Sequence, residues 1–281
     1  MFKSVALIGT VVGVALATAA GGALWDRRDG PAAEPIADGT ATEALPVPPI
    51  PPRIAEGVDY DRCLDLLSTD PNAASTFADA WEATGGGDGA THCRALADIA
   101  LGEPERGADI MEKLAAGSRG QAAARASVYG QAGQAWLMAG IPIRAYGSAT
   151  LALTLTPDDP DLLIDRSIAA ASMERYHDAV DDLTHALDLD PRRADALVFR
   201  GAAWRHLNQM ELAQDDIDRA FAQDPENPDA LLERGILRQR RGDREGARQD
   251  WEQAIALSPN TATADLAQQN LALLEAGPER R

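Results

Sequence analysis

The chain has 281 residues, 44 acidic against 26 basic side chains and four histidines, for a formal charge of −18 at neutral pH. So strong an acidic excess disfavours nucleic acid and anionic membrane surfaces as partners, because both carry the same sign. Two cysteines are too few for a Cys-based zinc site. Lys3 and Lys113 are the only lysines, a composition expected of a GC-rich bacterial genome.

Residues 4–25 carry no charge and come directly after Lys3. A short positive start, an apolar run from Val5 to Ala17 and then small residues predict a secretory signal, with Ala15-Leu16-Ala17 or Ala17-Thr18-Ala19 as cleavage contexts. The alternative is an uncleaved membrane anchor, since the apolar stretch continues to Trp25 and is about long enough to span. Arg27 and Arg28 beyond it argue weakly against export of the C-terminal part. Either way, residues 1–25 are the only predicted contact with a membrane, and the expected location is the bacterial envelope. Residues 26–57 are expected to be a disordered linker, with Pro46, Pro48, Pro49, Pro51 and Pro52 favouring extended polyproline conformations.

Folded structure is predicted from Val58. Helices are expected over 60–67, 71–83, 92–101 and 105–116, with the glycine run at 85–89 as a break, so that 58–120 forms two degenerate helix pairs. Cys63 and Cys93 each fall in the first helix of a pair. Those helices should be parallel neighbours, so a disulfide is expected in an oxidising compartment. It would close a loop of about 30 residues and add about 3–4 kcal/mol; two buried free thiols are the alternative.

From residue 126 the chain repeats. Ala152-Leu-Thr-Leu-Thr-Pro157, Ala186-Leu-Asp-Leu-Asp-Pro191, Ala220-Phe-Ala-Gln-Asp-Pro225 and Ala254-Ile-Ala-Leu-Ser-Pro259 place their prolines 34 residues apart. The units are 126–159, 160–193, 194–227 and 228–261. Place eight is small (Gly133, Ser167, Gly201, Gly235) and place twenty is Ala145, Ala179, Ala213 and Ala247. Places four and twenty-eight are mostly large: Tyr129, Leu163, Leu197 and Leu231, then Leu153, Leu187, Phe221 and Ile255. Small residues in phase let two antiparallel helices approach, and large ones fill the space beside them. Residues 262–276 predict one further helix, stopped by Gly277-Pro278.

This pattern resembles the tetratricopeptide repeat family, whose period and Gly, Ala, Ala and Pro positions it keeps over 126–261. The resemblance implies an all-α solenoid of antiparallel helix pairs, with 262–276 as the capping helix. Place seven departs from the family's leucine: it is Arg166, Arg200 and Arg234, while place twenty-three is Asp182, Asp216 and Asp250. Both columns are missing from the first unit, which has Ala132 and Ser148. An Arg–Asp ion pair joining the two helices of each unit is therefore predicted; such pairs are structural.

The resemblance also implies that the first helices line a concave groove. Its expected surface is Asp161, Ile164, Ile168, Ala171 and Ser172, then Asp195, Val198, Ala202, Arg205 and His206, then Asp229, Leu232, Ile236, Gln239 and Arg240. An apolar strip between acidic and basic edges suits an amphipathic helix or extended peptide. The alternative is that the apolar members are covered by neighbouring helices. The family's lysine, asparagine and arginine clamp for C-terminal carboxylates is missing.

Catalytic patterns are not found. His92, His177, His185 and His206 make no His-Glu-x-x-His motif, and the glycine run lacks the Gly-Lys-Ser/Thr ending of a phosphate loop. The expectation is a non-enzymatic scaffold without a cofactor that binds a protein or peptide partner. A structural protein that self-associates as a homo-oligomer is the alternative.

Overall fold

The structure, a computed structural model, describes residues 52–276. The expected signal or anchor, and most of the expected linker, lie outside the described residues. Within them the chain forms thirteen helices and no strand: α1 (Val58–Thr69), α2 (Pro71–Ala83), α3 (Gly87–Ala100), α4 (Pro104–Gly117), α5 (Ala122–Met138), α6 (Pro142–Leu155), α7 (Pro160–Ser172), α8 (Tyr176–Leu189), α9 (Ala194–His206), α10 (Met210–Gln223), α11 (Pro228–Arg240), α12 (Arg244–Leu257) and α13 (Ala262–Ala276). Each helix packs on the next, and the first helices of successive repeats α5, α7, α9 and α11 also touch, as do α11 and α13. This is an α-solenoid.

Local chemistry sets the element ends. Pro160 and Pro228 occupy the first turn of α7 and α11, where a missing N–H costs nothing. Asp159 caps α7 by accepting from Asp161 N at 3.1 Å, and Asn227 caps α11 by accepting from Ala230 N at 2.9 Å. The second helices stop two residues before each recurring proline, at Leu155, Leu189, Gln223 and Leu257, because the residue before a proline is pushed out of helical geometry. The turn inside each repeat needs a left-handed residue at one position. Gly140 and Gly242 supply it freely, whereas Glu174 and Asn208 hold φ of 60° there.

Inside each repeat the two helices meet at place eight, and size is traded across the contact. A Cβ on Gly201 would lie 2.9 Å from Ile217 Cδ1, and one on Gly235 would lie 2.7 Å from Trp251 Cδ1. Trp251 is fully buried and donates from Nε1 to the Leu232 carbonyl at 3.1 Å. In the first repeat a Cβ on Gly133 would come no nearer than 3.4 Å, to the Ala145 carbonyl, so the same place is merely close. Ala145, Ala179, Ala213 and Ala247 are all buried on the facing helix.

The predicted Arg–Asp columns meet at two points in each of the last three repeats. Arg166 Nε and Nη2 donate to Asp182 at 2.8 and 2.6 Å, Arg200 to Asp216 at 2.8 and 2.7 Å, and Arg234 to Asp250 at 3.0 and 2.6 Å. Each arginine also reaches back to the preceding repeat: over the Tyr146 ring, to Thr184 Oγ1 at 3.1 Å, and over the Phe221 ring at 3.5 Å. One guanidinium thus joins three helices. The first repeat has no such pair, and Glu112 of α4 takes its place. It accepts from Trp136 Nε1 at 2.8 Å, from Ser148 Oγ and from Arg144 Nη2 at 2.5 Å.

Three expectations need correction. Helix α3 starts at Gly87, not His92: Gly85 and Gly86 make the expected break, but Gly87 and Gly89 belong to the first turn of α3, and a Cβ on Gly89 would lie 2.6 Å from the Trp81 ring. Helix α5 begins at Ala122, a turn ahead of the repeat phase, where Arg125 Nε donates to the Ala115 carbonyl at 2.7 Å. Residues 52–57 are not free linker. Ile54 packs against the main core, Ala55 lies against Gly89, and Arg53 pairs with Asp61 at 3.1 Å.

Removing one partner of a buried pair strands the other charge. Asp216→Ala is expected to cost about 3–5 kcal/mol in urea unfolding, while replacing Arg200 and Asp216 together by apolar residues of similar volume costs far less. A loss below about 1 kcal/mol for Asp216→Ala would show that the pair is not the junction described.

Candidate functional site

The first-helix face is assembled from α5, α7, α9 and α11, and its residues separate into three groups. Ile164, Ile168, Val198 and Leu232 are buried, Ile168 being 8 % exposed. The expected apolar strip is thus mostly core. Neighbouring first helices lie close enough to cover it, and only Ile236, Ala202 and Ala171 remain half-buried.

The second group is charged but already paired. Arg205 donates from Nε and Nη2 to Glu233 at 2.7 and 3.1 Å, both side chains nearly buried, which ties α9 to α11. Arg193 binds Asp195 through Nε at 3.0 Å and Nη2 at 2.7 Å, and reaches Asp161 with Nη1 at 2.7 Å, so one cation bridges two repeats. These hydrogen bonds keep the Arg193 guanidinium charged beyond its ordinary range and, against burial, hold the Asp195 carboxyl below its own. Asp229 accepts from Thr263 Oγ1.

The third group is open. Ser172, His206 and Arg240 are exposed and Gln239 is half-buried. His206 stacks on Tyr176 with ring centroids 4.4 Å apart. His177 is exposed, and His185 approaches Asp158 at 3.4 Å.

One residue that sequence reasoning passed over stands out on this face. Asp165 of α7 faces α5, where its only side-chain partner among the described residues is the Gln134 amide, at 3.2 and 3.4 Å. Burial pushes its carboxyl up to about 7; Asp161 and Asp159 push the same way, and Gln134 and the more distant Arg193 oppose them. Gly130 on α5 makes room for Leu162 beside it, since a Cβ there would lie 2.7 Å from Leu162 Cδ2 and 3.9 Å from Asp165 Oδ2. The signal was faint in sequence. The same place in the other repeats is Gln131, Phe199 and Glu233, which share no chemistry.

At the N-terminal end a buried polar chain lies beside the disulfide. Cys63 and Cys93 are bonded, with Cα atoms 6.0 Å apart, joining α1 to α3. Tyr60 O–H donates to His92 Nδ1 at 2.6 Å, and His92 Nε2–H donates to Gln131 Oε1 at 2.6 Å. Burial holds the His92 imidazole below its usual value of 6.5 and pushes the Tyr60 phenol up to about 12. Both groups are therefore neutral. The His92 contribution to stability is complete above 6.5 and is lost as pH falls below it.

Among the described residues no group of three or more His, Cys, Asp or Glu side chains is arranged to hold a metal ion. No helix among them is long and apolar enough to cross a membrane.

No protein-family model and no curated protein matches the chain. Solved structures do. PilF of Pseudomonas aeruginosa is 18 % identical over 75 % of this chain and 96 % of its own, with a TM-score of 0.57. TTC0263, a TPR protein of Thermus thermophilus, is 16 % identical over 66 % of this chain and 100 % of its own, with a TM-score of 0.54. A chain of the Cut9–Hcn1 hetero-tetramer of the APC/C is 16 % identical over 76 % of this chain and 46 % of its own, with a TM-score of 0.55. At these identities the likeness concerns the fold.

The raised Asp165 carboxyl has a measurable sign. A group whose pKa rises on folding contributes fully below its unfolded value of 3.8, and that contribution is lost as pH climbs towards about 7. Asp165→Asn is therefore expected to melt higher than the parent at pH 8 and nearly equal to it at pH 4. A difference that stays constant across that range would contradict the placement of this carboxyl. The 34-residue phase, the paired-helix packing and the solved structures agree: the chain has the tetratricopeptide-type α-solenoid fold.

Proposed function

We propose that the chain is a non-enzymatic scaffold that holds a protein or peptide partner against its first-helix face, in the bacterial envelope. The observation that carries this reading is Asp165. Three of its neighbours on that face have counter-ions: Asp161 and Asp195 have Arg193, and Glu233 has Arg205, while exposed Asp229 accepts from the Thr263 hydroxyl. Among the described residues Asp165, which is half-buried, has an amide partner only. A lysine, an arginine or a terminal ammonium from a partner would supply the missing charge and return the carboxyl to its ionised form.

The overall charge supports a partner with a basic segment, since an acidic chain attracts one and repels acidic competitors. Half-buried Phe199, Ala202 and Ile236 offer apolar contact further along the same face. The Cut9–Hcn1 structure is itself an assembly of two different proteins, and its fold is similar. Placement in the envelope rests on the uncharged stretch 4–25 after Lys3 and on the Cys63–Cys93 disulfide, which suits an oxidising compartment.

The test is crosslinking in intact cells followed by quantitative recovery of partners with the full-length chain. Asp165→Asn keeps the shape and removes the charge; it should lower recovery of the main partner at least about tenfold, the scale of one lost charge-assisted contact. Far-ultraviolet circular dichroism should show the helices intact. Recovery equal to the parent would overturn the assignment of this face.

A further inference from the structure

The second helices of the four repeats present their outer faces at places eighteen, twenty-two and twenty-six. In three repeats these are polar or charged: His177, Asp181 and His185; Glu211, Asp215 and Arg219; Glu245, Gln249 and Gln253. In the first they are Ile143, Gly147 and Leu151. Ile143 is 63 % and Leu151 46 % exposed, and they stand two turns apart on one face of α6. The other large exposed apolar residues are each alone on their own element among the described residues. A Cβ on Gly147 would meet nothing within 4 Å. The result is a notch between two aliphatic side chains, part of a shallow depression of about 510 Å³ that also takes in Tyr146, Arg144 and Glu112.

Charge identifies what this strip can meet. Helix α6 contains no acidic residue, whereas α8 has Asp178, Asp181, Asp182 and Asp188, α10 has Glu211, Asp215, Asp216 and Asp218 against Arg219, and α12 has Glu245, Asp250 and Glu252 against Arg244 and Arg248. The one charge on α6, Arg144, is bound to Glu112 at 2.5 Å and lies over the Trp136 ring at 4.2 Å. Two copies of a chain carrying −18 repel each other across most of their surface. At α6 that repulsion is weakest and apolar area is available. The strip is also nearly symmetric in size about Gly147, with a long aliphatic residue four positions to either side.

We infer that α6 is a homodimerisation face. Two copies pack α6 against α6 antiparallel about a twofold axis passing near Gly147, so that Ile143 of one copy lies beside Leu151 of the other. The two facing glycines allow close approach of the helices. A twofold contact of this kind uses the same patch on both copies and closes on itself. One helical strip per copy buries little area, at the low end of specific interfaces, so the dimer is weak and concentration-dependent. Because it opposes a long-range like-charge field, it tightens as salt rises. The inference is independent of the partner proposed for the first-helix face, which α6 does not form.

The test uses the full-length chain. Cys63 and Cys93 are bonded to each other, so an introduced cysteine is the single free thiol among the described residues. Under mild oxidation Gly147→Cys should give a crosslinked dimer, and Asp215→Cys, at the equivalent place of another repeat, should not. Ile143→Asp plus Leu151→Asp, both at exposed positions, should abolish the crosslink and leave the protein monomeric in sedimentation, with partner recovery unchanged. Equal crosslinking at both positions means association through another part of the chain and overturns the inference. So does absence of a crosslink at Gly147→Cys, a dimer that survives the double aspartate variant, or capture of a different protein at this face in place of a second copy.

Discussion

Everything in this molecule depends on how closely the two helices of a repeat approach at place eight. Small residues there, facing alanines at place twenty, bring the backbones together, and the side chain at place twenty-four fills whatever is left. The filling grows along the chain from Ala149 through Leu183 and Ile217 to Trp251. Its partner is glycine or serine each time, so the packing is matched within each repeat and not averaged over the array. Protein interiors tolerate neither voids nor excess volume, which makes such matching the feature that holds the phase.

The arginine–aspartate pairs act one level above that contact. Each binds within a repeat through two parallel hydrogen bonds and touches the preceding repeat through an aromatic ring or a hydroxyl. A buried ion pair adds little net stability over an apolar substitute. What these pairs supply is direction: a guanidinium fork donates to its carboxylate in one geometry and so limits how one repeat rotates on the last. In the first repeat Glu112 reaches from α4 to do this work, which joins the degenerate helix pairs to the regular array.

Sequence reasoning reached as far as fixed registers reach. The repeat phase, the helix pairing and the meeting of Arg200 with Asp216 follow from positions that recur every 34 residues, because residues at constant spacing on two packed helices face each other every time. The first-helix face was less legible. Whether Ile168 or Val198 opens to a groove or lies against the next first helix depends on the rotation between repeats, which no column of the repeat records; in the structure both are buried. Glu112 lies outside the regular units, so its role had no column to reveal it. The glycines at 85–89 suggested a break, but Gly87 and Gly89 belong to a helix whose first turn passes close to Trp81.

Two surfaces result, with different chemistry. The first-helix face is laced by ion pairs and, among the described residues, holds Asp165 with an amide in place of a cation, while the outer face is polar or charged except along α6. Both are available only if the helices are held at the spacing that place eight permits. The most direct measurement of that spacing is a double-mutant cycle on Gly235 and Trp251, read by urea unfolding. Gly235→Ala alone should destabilise by about 1–3 kcal/mol because the indole has nowhere to move. In a Trp251→Leu background the same change should cost almost nothing, a coupling of about 1 kcal/mol or more. Effects that simply add, within about 0.5 kcal/mol, would mean that the two residues do not share the contact and that the repeats are held by something else.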